Sequence, residues 1–383
     1  MGGQSYYEFF AGGGMARAGL GPGWRCLLAN DFDASKARAY AENWGESDFR
    51  LADIHALTAA DLPGRADLAW ASFPCQDLSL AGAGRGLEGA RSGAFFGLAA
   101  LIDGLRAESR APKILALENV VGLLTSSGGA DFVALCRALQ RLGYCFGALT
   151  LDAVHFTPQS RPRLFIVAVD RDLAVPADCI VQAPSPDWAS SALVRAHNNL
   201  PRDLARDWLW WRLPAPPLRN LALADLVEAD PRDVEWLDAQ KTARLLDLMA
   251  PLHRARVEAA RKAGGRTVGA LYRRTRRDEN GSRVQRAEVR FDGIAGCLRT
   301  PAGGSSRQSI LVIEHGEIRA RLLSGREAAR LMGLAEDYRL PKSYTDAYHL
   351  LGDGVAAPVV RFLAEHLLEP LAGRPAAPLM AAE

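Results

Sequence analysis

The chain reads as an α/β protein: a parallel sheet with helices on both faces, accompanied by a smaller, more irregular domain. Three observations predict this. Over roughly the first 170 residues, short apolar runs alternate with longer amphipathic ones, as βαβ units require. Gly-rich or polar clusters fall where those runs end. From about Asp172 the alternation degrades into Pro-rich, Trp-containing sequence and then a strongly basic stretch, and it resumes only near Glu317.

Taken in order, YYEFF predicts the first strand, with a helix-like stretch from Met15 behind it. RCLLAN, DLAWASF, KILALENV and RLFIVAV predict further strands of the same sheet. Beyond the irregular region, SGREAARLMGL predicts a helix from about Ser324, another follows Pro358, and the last dozen residues read as a frayed tail. The expected domains are therefore 1–172, an inserted 173–318, and 319–383 completing the first. Trp208, Trp210 and Trp211 are expected to pack the core of the inserted domain rather than stack on bases, and Cys26 and Cys297 are read as packing residues.

With 383 residues, 49% hydrophobic and 23% charged, the chain can bury a full core, which excludes a stapled miniprotein and a mainly disordered chain. No run approaches the roughly 18 apolar residues of a membrane span. No export or transit signal is read at the start, so a cytoplasmic, nucleoid-associated protein is expected, and a monomer. The six cysteines include no Cys-x-x-Cys pair and no His at zinc-type spacing, so no metal and no disulfide framework are expected. The net charge of +2 conceals a segregation. From His253 to Arg290 twelve basic residues face four acidic ones, a net +8 that leaves −6 on the remainder. Such a stretch is either a solvated face or a phosphate-binding surface, and Arg273, Arg274, Arg276 and Arg277 lie at its centre.

Four segments carry chemistry. Phe10 to Gly14 follow an apolar strand and open a helix; Gly12 and Gly14 let the backbone turn sharply and approach a ligand, and Asp31 lies about 20 residues on, where a carboxylate holds a ribose hydroxyl. Asp53, before Ile54, offers a third contact at the next strand end. Pro74, Cys75, Gln76 and Ser79 stand where DLAWASF meets a glycine-rich loop containing Arg85 and Arg91. A free cysteine is most often a small buried hydrophobe, but this one sits at a strand end before a loop suited to closing over an anion. KILAL delivers Glu118 and Asn119 at its end, a costly place for a carboxylate without a partner or a role. Finally, Arg161 and Arg163, two apart on an extended segment, are expected to face one site.

Phe-Ala-Gly-Gly-Gly, Pro-Cys-Gln, Glu-Asn-Val and Gln-Ser-Arg-Pro-Arg, in this order, closely resemble the signatures of the DNA cytosine-5 methyltransferase family. Arg321 to Gly333 and Gly352-Asp353-Gly354-Val355 resemble its ninth and last motifs, and 172–317 falls where that family keeps its target-recognition domain. The resemblance implies a Rossmann-like methyltransferase sheet, S-adenosylmethionine as cofactor and double-stranded DNA as partner, with a cognate restriction endonuclease left open. It implies Cys75 as the nucleophile at cytosine C6, Glu118 at N3, Arg163 at O2, Asn119 positioning Pro74 and the cysteine loop, and Arg161 with Gln159 anchoring their segment. Gln76, Ser79, Arg85 and Arg91 become the clamp on a flipped nucleotide. Phe10, Asp31, Phe32, Asp53 and Ile54 surround the adenosine of the cofactor. Asp353 departs from the family's usual asparagine and brings an acid toward the cofactor's carboxylate. Two alternatives stand beside this: a tRNA cytosine-5 methyltransferase, and a non-catalytic DNA-binding relative, which retention of Cys75 and Glu118 argues against.

Overall fold

The computed structural model describes residues 3–73, 93–277, 281–300 and 307–373. They fall into two compact units, Met1–Asp152 with Pro162–Pro216 and Gly354–Glu383, and Ala153–Arg161 with Pro217–Asp353. The expected boundaries at 172/173 and 318/319 thus differ from the observed division at 216/217 and 353/354.

The first unit is built on a seven-stranded sheet of β1 (Gln4–Phe9), β2 (Trp24–Asp31), β3 (Phe49–Leu51), β4 (Leu68–Ser72), β5 (Ile114–Val120), β6 (Tyr144–Asp152) and β7 (Pro162–Asp170), in the order β3-β2-β1-β4-β5-β7-β6. Strands β1 to β5 are parallel, as their near-continuous apolar runs anticipate, and β1 is buried along its whole length. RLFIVAV, expected as another parallel strand, is β7, antiparallel to both β5 and β6. The reason is β6, which the sequence did not disclose: only 153–161 separates it from β7, too short for a crossover of about a dozen residues or more. Gly147 disguises β6. A Cβ there would lie 1.8 Å from the Leu209 carbonyl oxygen, so the glycine exists to let that segment approach.

On one face of the sheet Tyr7, Phe9, Ala69, Leu115, Leu117 and Ile166 share a core with Phe95, Leu98 and Ile102 of the helix Ala94–Ala107 and Phe132 and Leu135 of the helix Ala130–Arg141. On the other, Tyr6 meets Trp24 edge-on and Trp70 lies against Phe165. A two-stranded pair, β8 (Ile180–Val181) and β9 (Trp210–Trp211), belongs to this unit. The tryptophan cluster therefore packs here, not in the second unit: Trp208 abuts Phe132 and Phe146 at 6.2 and 6.0 Å, which corrects the expectation.

The second unit carries an antiparallel sheet, β10 (Thr267–Arg277), β11 (Arg283–Arg290), β12 (Ser309–Glu314) and β13 (Glu317–Leu322), ordered β11-β10-β12-β13. Leu245 of the helix Ala239–Asp247, Val257 of the helix Pro251–Ala263 and Met249 between them close over Leu271, Val289, Leu311 and Ala320. β12 pairs with β10 only from Thr267 to Leu271, so among the described residues 272–277 and 283–288 continue as a two-stranded ribbon. The helix expected from Ser324 is Gly325–Leu331. Ser324 caps it reciprocally with Glu327, and Glu327 in turn receives two hydrogen bonds from the fully buried Arg321, at 2.6 and 2.7 Å.

Candidate active site

The first unit gathers its functional side chains at the carboxyl ends of its parallel strands. After β1 the backbone turns through positive φ at Phe10, Gly12 and Gly14. Gly14 is needed twice over, because a Cβ would also lie 2.3 Å from the Trp44 indole nitrogen. The Gly12 and Asp33 N–H groups donate to the two oxygens of Asp31 at 2.9 and 3.0 Å, which fixes the carboxylate while each oxygen keeps another lone pair for a ligand. Asn30 donates from Nδ2 to the carbonyls of Arg50 and Ala52, both at 2.9 Å, tying the end of β2 to the end of β3. There Asp53 accepts the His55 N–H at 2.8 Å and caps the turn Ile54–Ala56, whose Ile54 is buried. Phe32 stands 68% exposed between the two carboxylates in sequence. A turn open to solvent at Gly12, two fixed carboxylates and an unstacked aromatic face together fit an adenosine cofactor, hydroxyls on Asp31 and adenine on Phe32.

At the neighbouring ends of β4 and β5, Ser72 pairs in register with Glu118. Arg163, on β7, donates from Nε to Glu118 Oε1 at 3.0 Å; the side chains are 14% and 8% exposed. Asn119 donates from Nδ2 to the Phe73 carbonyl at 3.0 Å, and its own Oδ1 accepts the Val120 N–H at 2.8 Å. Phe73 is also held between Phe10 and Phe95, with ring centroids 6.4 and 5.4 Å away. The residue before Pro74 is thus fixed by backbone and side chain alike. Pro74, Cys75, Gln76, Ser79, Arg85 and Arg91 lie outside the described residues.

Arg161 does not share the surroundings of Arg163. The i, i+2 rule holds within a strand, and β7 begins only at Pro162. Arg161 belongs to the second unit, where it is buried and donates to the carbonyls of Leu298 at 2.8 Å and Gly352 at 2.9 Å. Gln159, likewise buried, donates to the Leu331 carbonyl and accepts the Leu298 N–H at 2.9 and 3.0 Å. Both anchor backbone; the expected place of Arg161 among the catalytic side chains is corrected to this one. Asp353 accepts the Thr300 hydroxyl. In the ribbon, Arg273, Arg274, Arg276 and Arg277 are all exposed, and Arg276 forms a fork with Glu288.

Residues 5–369 match the family model for C-5 cytosine-specific DNA methylases. The chain belongs to that family. It is a DNA cytosine-5 methyltransferase that uses S-adenosylmethionine. The methyltransferase is 27% identical over 365 residues to the Type II methyltransferase M.DsaV of Dactylococcopsis salina, covering 95% of this chain and 85% of that one. It is 26% identical over 369 residues to M.HhaI of Haemophilus parahaemolyticus, covering 95% and 94%. In fold it is similar to the Dnmt2 methyltransferases of S. pombe (TM-score 0.55, 18% identity, 97% and 99% covered) and Spodoptera frugiperda (TM-score 0.57, 16% identity, 96% and 99% covered). Among the described residues no helix is long and apolar enough to cross a membrane.

Three residues escaped sequence reasoning. Asn30 had a readable signal, an amide just before the strand-end Asp31, but its partners on β3 had none. Glu288 looked like one acid diluted among arginines. Glu8 is fully buried on β1, with Oε2 lacking a hydrogen-bond partner among the described residues; desolvation first, then the nearby Asp48 and Asp31, push its pKa up to about 8 against the opposing pull of Arg17. An acid inside an apolar run gave no sign of which face it occupied.

Proposed function

We propose that the methyltransferase modifies C5 of a cytosine flipped out of a specific double-stranded DNA sequence, through a covalent adduct between Cys75 and C6. The observation that carries this reading is the convergence of Glu118, Arg163 and Asn119 on the ends of β4 and β5, immediately before Pro74-Cys75 in the chain. C5 is a poor nucleophile until C6 is attacked. The Cys75 thiolate spends its electron pair on the S–C6 bond, and the C5=C6 π pair it displaces makes C5 enamine-like. Glu118, protonated when the base is bound, donates to N3 and Arg163 donates to O2, so negative charge arriving on the ring meets two donors, and the N3 proton returns to Glu118 at the end of the cycle. The Glu118–Arg163 pair keeps both side chains in place before the base arrives, and Asn119 fixes the Phe73 carbonyl, which directly precedes Pro74-Cys75 in the chain. S-adenosylmethionine supplies the electrophilic methyl group that C5 accepts. Loss of the C5 proton to a base then returns an electron pair that expels Cys75 as thiolate.

Asp31, Phe32, Asp53 and Ile54 hold the adenosine end of the cofactor, and Phe10, Gly12 and Gly14 shape the turn it lies against. Gln76, Ser79, Arg85 and Arg91 clamp the flipped nucleotide, and the second unit, with its basic ribbon, grips the duplex. The Type II names of the relatives support a role beside a cognate restriction endonuclease. The test is transfer of labelled methyl groups to duplex DNA, with a duplex bearing 5-fluorocytosine as a trap, since fluorine cannot leave as a proton. A DNA adduct that disappears in Cys75→Ala is expected. Transfer that survives this substitution removes Cys75 from its role, and an adduct with tRNA but none with DNA reverses the choice of substrate.

A further inference from the structure

The ribbon distributes its charge unevenly. Strand alternation and register place Tyr272, Arg274, Arg276, Arg286 and Glu288 on one face, and Arg273, Thr275, Arg277, Arg283 and Gln285 on the other. Among the described residues of the ribbon Glu288 is the sole acid. Its carboxylate is engaged by a two-pronged fork from Arg276, Nε to Oε1 at 2.6 Å and Nη2 to Oε2 at 2.9 Å, and by Arg274 at 3.7 Å. The carboxylate is the sheltered partner, 18% exposed, whereas the Arg276 side chain is 49% exposed and reaches outward over it. Arg274 is further held over the Tyr272 ring, 5.2 Å from its centroid.

An exposed ion pair adds little to folding stability, so this arrangement has its main consequence in binding. Sequence-independent affinity for DNA comes almost entirely from cations that neutralise phosphates and release counterions. A guanidinium forked to a carboxylate enters that exchange at a disadvantage, because a phosphate must displace Glu288 or accept a partner whose charge is already half cancelled. The fork also fixes the guanidinium plane, which prevents it from following backbones of arbitrary shape. On the opposite face Arg277 and Arg283 are paired across the strands, and Arg277 donates to the Gly281 carbonyl at 3.1 Å.

We propose that Glu288 is an internal counter-anion that competes with DNA phosphates for Arg274 and Arg276 and thereby limits binding to non-target DNA. The inference rests on the reading of the ribbon as a DNA-binding surface. The experiment measures affinity of the full-length protein for a random-sequence DNA duplex across a salt series, for the native protein, Glu288→Gln, Arg274→Gln/Arg276→Gln and the triple variant. Glu288→Gln is expected to bind up to about fivefold tighter and to steepen the log–log salt slope by roughly one. That gain disappears in the triple variant, where no arginine remains to be released. Glu288→Thr, a strand-favouring replacement, gives the same tightening and serves if the glutamine variant folds poorly. Unchanged or weaker binding by both folded Glu288 variants, while the double arginine variant still binds less well, overturns the proposal and leaves the ribbon as a DNA surface. If neutralising Arg273, Arg274, Arg276 and Arg277 together changes neither affinity nor slope, the ribbon reading falls and the proposal with it.

Discussion

Two arginine–carboxylate pairs in this molecule have similar bond lengths and opposite settings. Glu118–Arg163 lies at the ends of β5 and β7 with both side chains almost enclosed, and Arg276–Glu288 lies on an exposed ribbon with its arginine half in solvent. Enclosure makes the first pair rigid, since breaking it strands a charge away from water. Exposure makes the second exchangeable, since water, salt or phosphate can replace either partner at a cost of about 1 kcal/mol or less. On the proposed reading, the reaction needs groups that do not rearrange during bond making, and a surface that meets many DNA sequences needs contacts it can give up. The same chemistry serves both ends because burial decides whether it behaves as a fixture or as an equilibrium.

The widest separation between the two regions is expected in turnover. Cys75→Ala should abolish methyl transfer, and Glu118→Gln should lower kcat by on the order of 10²–10⁴ while leaving duplex affinity nearly unchanged; single-turnover kinetics beside a binding titration separate the two. A Glu118→Gln enzyme that keeps its rate but loses DNA would erase the contrast. Next in size is a scaffold effect: Glu327→Ala leaves Arg321 buried without its carboxylate and should cost about 3–5 kcal/mol in urea or thermal unfolding, a loss with no counterpart on the ribbon. An unfolding midpoint unmoved by that substitution would show that burial is not what fixes these pairs.

The pH dependence comes third. Burial raises the Glu8 carboxyl to about 8 in the folded protein, above its ordinary value in the unfolded chain. Folding therefore holds a proton that the unfolded chain releases. The associated stability is fully present below the ordinary carboxylate range and is lost as pH rises toward 8. Glu8→Gln should flatten the fall in melting temperature between pH 5 and pH 8, with a gain at the upper end on the order of a few kcal/mol. An identical pH profile for the two proteins would deny the desolvation. Smaller still, Arg277→Gln should lower the salt slope of DNA binding by about one and weaken affinity modestly, with kcat unchanged at saturating DNA. Last, Asp353→Asn, which restores the asparagine usual in the family's last motif, is expected to tighten S-adenosylmethionine two- to several-fold, on the order of 1 kcal/mol or less; equilibrium titration of the cofactor reads this directly.

Much of this was legible in the chain itself. Apolar runs closing on Gly12, Asp31, Glu118 and Asn119 mark strand ends, because parallel strands buried on both faces must be continuously apolar and their ends are where polar groups reach a ligand. The run SGREAARLMGL marked a helix from about Ser324, and the reciprocal cap between Ser324 and Glu327 explains why it starts there. The i, i+2 spacing of Arg161 and Arg163 does not place them together because the strand begins only at Pro162, and aromatic content does not say which core receives the tryptophans.

The sequence by itself determined the family and the cofactor class, through motifs whose residues are neighbours close along the chain. Tertiary structure alone decided that β7 runs antiparallel, that Arg163 meets Glu118 while Arg161 is consumed by the carbonyls of Leu298 and Gly352, and that Glu288 is forked to Arg276. Those outcomes depend on pairing register, on which face of a strand is covered and on how far a side chain lies from water. Each is set by residues remote in sequence, and none leaves a local mark in the composition around it.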